Sequence, residues 1–224
     1  MRNQFITISS LLFFSLLLAG CATTKSANAL LAEVWNNDQQ PRHQMVELTK
    51  AVTVEGRTEL IDSLVLVSEI IERNDVRNIK IVDKILKRGL PEGLAEESYK
   101  TIWIVIDHAS LEKQEQYLPL VKQMATEGYI GVDEYAILYD RVAMGKNSPQ
   151  RYGSQLVQFG NADNLQLYVW PIENVEELDS LRNTVGMSSF NKYLKHIEET
   201  MGIVPVYDTT LTIEELNKMR GKLQ

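Results

Sequence analysis

The sequence predicts a mainly α fold, a single helical domain with one small β-hairpin. Three observations carry this. Apolar residues recur at helical spacing in several long segments, one pair of short segments shows strand alternation, and no composition shift or internal repeat divides the chain. About 200 residues follow the N-terminal leader described below, enough for one unit with a core of its own.

Residues Ala29 to Trp35 read as a first helix, and Pro41 is placed to open or kink the next, which runs to about Ala51. From Thr58 to Arg73, Leu60, Ile61, Leu64, Val67, Ser68 and Ile71 form a broad apolar face with helical spacing. Val76, Ile79, Val82 and Leu86 repeat the pattern until Gly89 and Pro91 stop it, so a helical pair is expected. The run Ile102-Trp103-Ile104-Val105-Ile106 suits a buried strand or a buried helix by periodicity alone. The preceding Leu94-Ala95-Glu96-Glu97 and the lack of a sequential strand partner select helix. Leu111 to Thr126 is another helix, with Pro119 kinking it or marking its beginning and Gly128 ending it. Asp133 to Met144 follows, with Asp133 as its cap or first-turn acid.

The character then changes. Gln155 to Phe159 and Leu165 to Trp170 are β-prone, with Asn161-Ala162-Asp163-Asn164 as the turn and Pro171 closing the hairpin. Glu176 to Thr184 returns to helix, and Phe190, Tyr193, Leu194, Ile197 and Met201 make a stripe that packs on the core. A last helix starts at Thr212, which has Glu215 at capping-box spacing.

The leader is distinct from this domain. One charge, Arg2, precedes an apolar run through Leu18 that is shorter than the roughly 20 residues a spanning helix needs. It ends in Leu18-Ala19-Gly20-Cys21, which resembles the lipobox of bacterial lipoproteins. That resemblance implies a signal peptide over residues 1–20, lipidation of Cys21, a short tether over residues 21–28 and a helical domain over residues 29–224. Two or more acyl chains convert marginal membrane binding into stable anchoring. Membrane lipid is therefore the first expected partner, through acylated Cys21. Ala22, where inner-membrane lipoproteins of this kind usually carry aspartate, implies an outer-membrane location facing the periplasm in a Gram-negative cell.

Removal of Arg2 leaves 22 basic and 30 acidic side chains, a balance of −8 that argues against nucleic acid as a partner. Cys21 is the one cysteine, so burial rather than a disulfide must stabilise the fold in an oxidising compartment. No cofactor motif is present, and the three histidines, His43, His108 and His196, lie too far apart in sequence to suggest a metal site. His196 falls off the apolar stripe of its helix and should be exposed.

Candidate chemistry concentrates in three segments: Asp107-His108-Ala109, Leu138-Tyr139-Asp140-Arg141 and Pro149-Gln150-Arg151-Tyr152-Gly153-Ser154-Gln155. Together with Asp179, Arg182 and Val185-Gly186-Met187, they resemble an uncharacterised bacterial family, a domain of unknown function. Its blocks read roughly Q-H-A, D-R, P-Q-x-Y-G-T-Q and D-x-x-R-x-x-V-G-L. The departures are Asp107 for glutamine, Ser154 for threonine and Met187 for leucine. The first of these sets a negative charge beside His108.

His108 ends an apolar segment, where burial and a neighbouring carboxylate can tune it as a general base. Asp140 could orient it, as the second catalytic candidate. Arg141 or Arg182 could hold a carboxylate or phosphate, with Gln150, Tyr152 and Gln155 as further ligand-binding candidates. Ser154 lacks the strand–turn–helix context of an activated nucleophile. The plainer reading is that these side chains satisfy the backbone of the docked hairpin. An open pocket at His108, Asp140 and Tyr152 would favour a site, whereas a sealed one would mean scaffold.

Three functions follow as expectations: a binding or scaffold module of the envelope, taking a small ligand or an envelope protein; an envelope hydrolase with His108 as base; and an assembly protein docking through a basic stripe. That stripe is Arg73, Arg77, Lys80, Lys84 and Lys87, spaced four, three, four and three residues apart. It could equally be a solvated outer face.

Overall fold

The computed structural model describes residues 7–160 and 165–221, with side chains for residues 24–160 and 165–220. Its core is helical and starts from an antiparallel pair. Helix α1 spans Thr7–Thr53 and helix α2 spans Ile61–Leu86, joined through a short 3-10 turn at Thr58–Leu60. The opposed directions follow from cross-contacts: Asn74 Nδ2 donates to the Asn37 carbonyl at 2.7 Å, and Arg77 meets Glu33 at 3.1 Å.

Each of these helices was expected as two pieces. In α1, Pro41 lies inside the helix and cannot donate to the Asn37 carbonyl four residues back. The Asn74 amide takes the place of that missing donor, so the helix continues past the proline. In α2, nothing between Arg73 and Val76 breaks a helix, and the expected pair is one 26-residue element. Residues 21–28, expected as a tether, also lie in α1. There Ala27 packs against the core and Asn28 Oδ1 accepts the Ala95 backbone N–H.

Helices α3 (Glu96–Asp107), α4 (Leu111–Thr126) and α5 (Val132–Gly145) complete the bundle. The ambiguous apolar run is helical, and Ile102 and Ile106 are fully buried among Leu31, Val34, Val82 and Leu138. Each such side chain contributes about 1.5–3 kcal/mol of transfer free energy. Pro119 sits within α4, and Asp133 is a first-turn acid of α5, whose N-cap is Gly131.

Strands β1 (Leu156–Phe159) and β2 (Gln166–Val169) pair antiparallel, with Val157 opposite Tyr168. The expected turn at Asn161–Asn164 lies outside the described residues. Both faces of the hairpin are covered. Val157, Phe159 and Trp170 pack with Leu216 of α8 (Ile213–Gly221). Val169 packs with Leu178 of α6 (Leu178–Thr184) and Phe190 of α7 (Phe190–Met201). Val206 exchanges two backbone bonds with β2 and so blunts its free edge. The α8 cap forms as its spacing predicts: Glu215 N–H donates to Thr212 Oγ1 at 3.2 Å, and Thr212 N–H donates to Glu215 Oε2 at 2.9 Å.

Candidate functional site

The candidate residues fall into two centres, one sealed and one open. The sealed centre forms where the chain leaves α5 and enters the hairpin. Asp140, fully buried on α5, accepts the backbone N–H groups of Arg151, Tyr152 and Ser154 at 2.8–3.1 Å and the Ser154 hydroxyl at 2.9 Å. Burial raises its carboxyl above the ordinary value against the pull of these four donors. Gln150, also fully buried, donates to the Gln155 and Trp170 carbonyls and accepts the Gln155 N–H at 2.7 Å. Gln155 donates onward to the Ile137 carbonyl and Ser154 Oγ.

Arg182 closes this centre from α6. Its Nε donates to the Ser188 carbonyl and its Nη1 to the Tyr152 carbonyl at 2.6 Å, while Phe190 and Tyr193 flank the guanidinium. Tyr193 donates its hydroxyl to the Ser154 carbonyl, and burial pushes it up to about 12. Gly153 has φ +65°, and a Cβ there would meet Phe190 at 3.0 Å. Glycine supplies both the left-handed backbone and the clearance. Asp140, Gln150, Gln155 and Arg182 thus bond the chain's own backbone and, for Asp140 and Gln155, the Ser154 hydroxyl as well. Ser154 is committed to Asp140. Tyr152 is half-buried, with its ring edge-on to Tyr139 and Arg151 over it.

The open centre lies at the C-terminal end of α3. His108 caps this helix, and its side chain keeps 18% of its exposure on the wall of a groove of about 540 Å³. Asp75, Val76, Ile79 and Lys80 of α2 form one side of the groove, facing Ser110 and Lys113. Behind the ring, Nδ1 lies 3.1 Å from Oδ1 of Asp38, whose side chain is 1% exposed. Arg42, one turn along α1, reaches the same Oδ1 at 3.2 Å and grips both oxygens of Asp75 at 2.8 and 2.9 Å. On the ring's other edge, Nε2 lies 4.0 Å from Asp107 Oδ2, and Asp107 is held by Arg141 Nε at 2.8 Å. Burial pushes the Asp38 carboxyl up, but the bonds from His108 and Arg42 outweigh it and hold the group below the ordinary carboxylate value. Asp75 goes the other way, raised by burial despite Arg42.

The structure gathers His108, Asp107 and Arg141, with Arg141 bonded to Asp107 rather than left for a ligand, and it places Asp140 on loop donors rather than on His108. His196 and His43 are exposed. The sequence reading did not single out Asp38, Arg42 and Asp75. A signal existed: Leu31, Val34 and Asp38 stand at i, i+3 and i+7, so a carboxylate occupies the buried stripe of α1. Taking Pro41 as a helix boundary hid it.

Asp38, Asp75 and His108 offer three ligand atoms within 4.8 Å of one another, a spacing that could suit a metal ion. The Arg42 guanidinium already bonds both carboxylates and offsets one of their two charges, so an ion would have to displace it. The donor set is better matched to its own arginine than to a metal. Among the described residues, no helix is long and apolar enough to cross a membrane.

No curated protein and no solved structure matches the chain. Residues 27–205 match a family of unknown function (DUF6624), a span that holds every residue of both centres, and the chain belongs to that family.

Proposed function

We propose that this protein is a lipid-anchored envelope binding module whose small polar ligand enters the groove between α2 and the α3–α4 turn and meets His108. Anchoring rests on the Leu18-Ala19-Gly20-Cys21 segment, with lipid on the Cys21 sulfur. The ligand reading rests on the bond between His108 Nδ1 and Asp38. A buried carboxylate that fixes an imidazole at a groove wall settles the ring's tautomer and orientation, leaving Nε2 as the atom that changes partners. Arg42 carries the fixing carboxylate, so the arrangement is preorganised at no cost to the ligand.

Protein-observed NMR with a library of small polar fragments tests this. Shifts should cluster at His108, Ala109, Ser110 and Lys80 and vanish in His108→Gln, which keeps its fold. Shifts elsewhere, or shifts that survive the substitution, would remove the reading. Mass spectrometry of the processed N-terminal peptide tests the anchor independently, and a bare Cys21 would refute it.

The Asp38 contact also favours a second reading, hydrolysis with His108 as general base toward water. Turnover of a chromogenic ester, phosphodiester or glycoside, abolished in His108→Gln, would establish it. Silence across such a panel leaves binding as the function.

A further inference from the structure

The antiparallel pairing of α1 and α2 has a consequence for how the domain meets its membrane. Asn37 faces Asn74 and Glu33 faces Arg77, so moving toward the C-terminal end of α2 means moving toward the start of α1. Continued at the same register, Lys84 lies level with residues 26–27 of α1, and Lys87 and Arg88 follow at once in the turn that ends α2. Lys25 adds a fourth cation, four residues from Cys21 or roughly 6 Å along the axis. Lys25, Lys84, Lys87 and Arg88 are all exposed, and among the described residues none of them takes part in an ion pair. Of the other basic residues of the stripe, Arg77 is paired with Glu33, Lys80 lines the groove, and Arg73 is exposed three turns of α2 away from Lys84.

We infer that this end of the α1–α2 pair is a docking surface for anionic phospholipid headgroups, which holds the domain in one orientation on the membrane that anchors it. The inference rests on lipidation of Cys21. Two features commit the surface to lipid. Its charge is opposite to that of the protein as a whole, whose formal balance is −7. Its position is continuous with the anchor, within about a Debye length at 0.1 M salt. An anchor alone leaves a domain free to tilt, and four cations at its base oppose the tilt. The far end of α1, at Thr53, lies some 32 residues or roughly 48 Å from Cys21 along the helix and packs near Met201 of α7. The groove at Asp38 lies between, roughly 25 Å out, so docking would fix which way the groove opens.

The test uses the lipidated full chain reconstituted in vesicles, where an introduced cysteine is the single free thiol. Ser26→Cys labels the cationic end and Glu199→Cys the opposite end, both at exposed positions. Each carries a fluorophore and is read against a headgroup-attached quencher, in neutral phosphatidylcholine and in the same lipid with a third phosphatidylglycerol. The expected result is severalfold stronger quenching at position 26 in the anionic vesicles, no change at position 199, and return to the neutral level in 0.5 M salt. Charge reversal by Lys84→Glu, Lys87→Glu and Arg88→Glu should have the same effect as salt. Equal quenching in both vesicles, or quenching indifferent to salt, overturns the docking surface while the anchor stands. Loss of the protein from both vesicle types, with an unmodified Cys21 by mass, overturns the anchor and the docking together.

Discussion

Asp140 and Asp38 are both carboxylates on helices, and both are sealed from solvent, yet they are spent in opposite ways. Asp140 takes three backbone N–H groups and a hydroxyl from the loop that leads into the hairpin. Asp38 takes an imidazole and a guanidinium, and the imidazole stands on a groove wall. A buried acid bound to backbone can only hold that backbone, since any movement leaves donors unpaired. A buried acid bound to a side chain holds a group that still has a free edge. Burial alone therefore does not separate scaffold from site, whereas the identity of the partners does.

The largest effect is expected at Asp140. Replacing it with alanine leaves three loop N–H groups without an acceptor and should cost about 4 kcal/mol. That corresponds to a fall in melting temperature of roughly 10 °C for a domain of this size, read by thermal denaturation. Unchanged stability would show that the loop does not depend on Asp140. Gly153→Ala forces a side chain into left-handed backbone against Phe190 and should cost about 2 kcal/mol in urea unfolding.

Asp38→Asn should cost less, about 1–2 kcal/mol at neutral pH. Its effect should depend on pH in a definite direction. The folded carboxyl sits below its ordinary 3.8, so its contribution is complete above that value and is lost as pH falls through the lower folded one. The gap between wild type and Asp38→Asn should hold from pH 7 to 5 and shrink near pH 3, measured as urea midpoints. His108→Gln is the smallest perturbation, under about 1 kcal/mol, because the ring is partly solvated and its site is open. A large loss there would move His108 into the scaffold.

Much of the fold was legible because local signals agreed. The stripe at Phe190 to Met201, the Thr212–Glu215 cap and the Leu165 to Val169 alternation each name an element without help from elsewhere. Helix α1 was misread because its continuity at Pro41 involves a distant partner, whereas α2 was divided where nothing in its sequence breaks a helix. The carbonyl that Pro41 leaves without its helical donor is met by the Asn74 amide, 33 residues from Pro41, and no window around Pro41 contains that donor. The same distance explains the site. His108, Asp107 and Arg141 were visible in their own blocks, while Asp38 and Asp75 come near His108 only when α1 and α2 pack against α3. The sealed centre was legible as a set but not as an arrangement: the blocks that carry the family resemblance named Asp140, Gln150, Gln155 and Arg182, and packing decided that they face inward.

The most direct test of the account is the nitrogen NMR spectrum of the His108 ring, in wild type and in Asp38→Asn. The tautomer expected in the wild type carries its proton on Nδ1, where Asp38 accepts it, and a mixture of tautomers is expected once Asp38 is changed. A proton resident on Nε2, or a ring spectrum indifferent to the substitution, would contradict it.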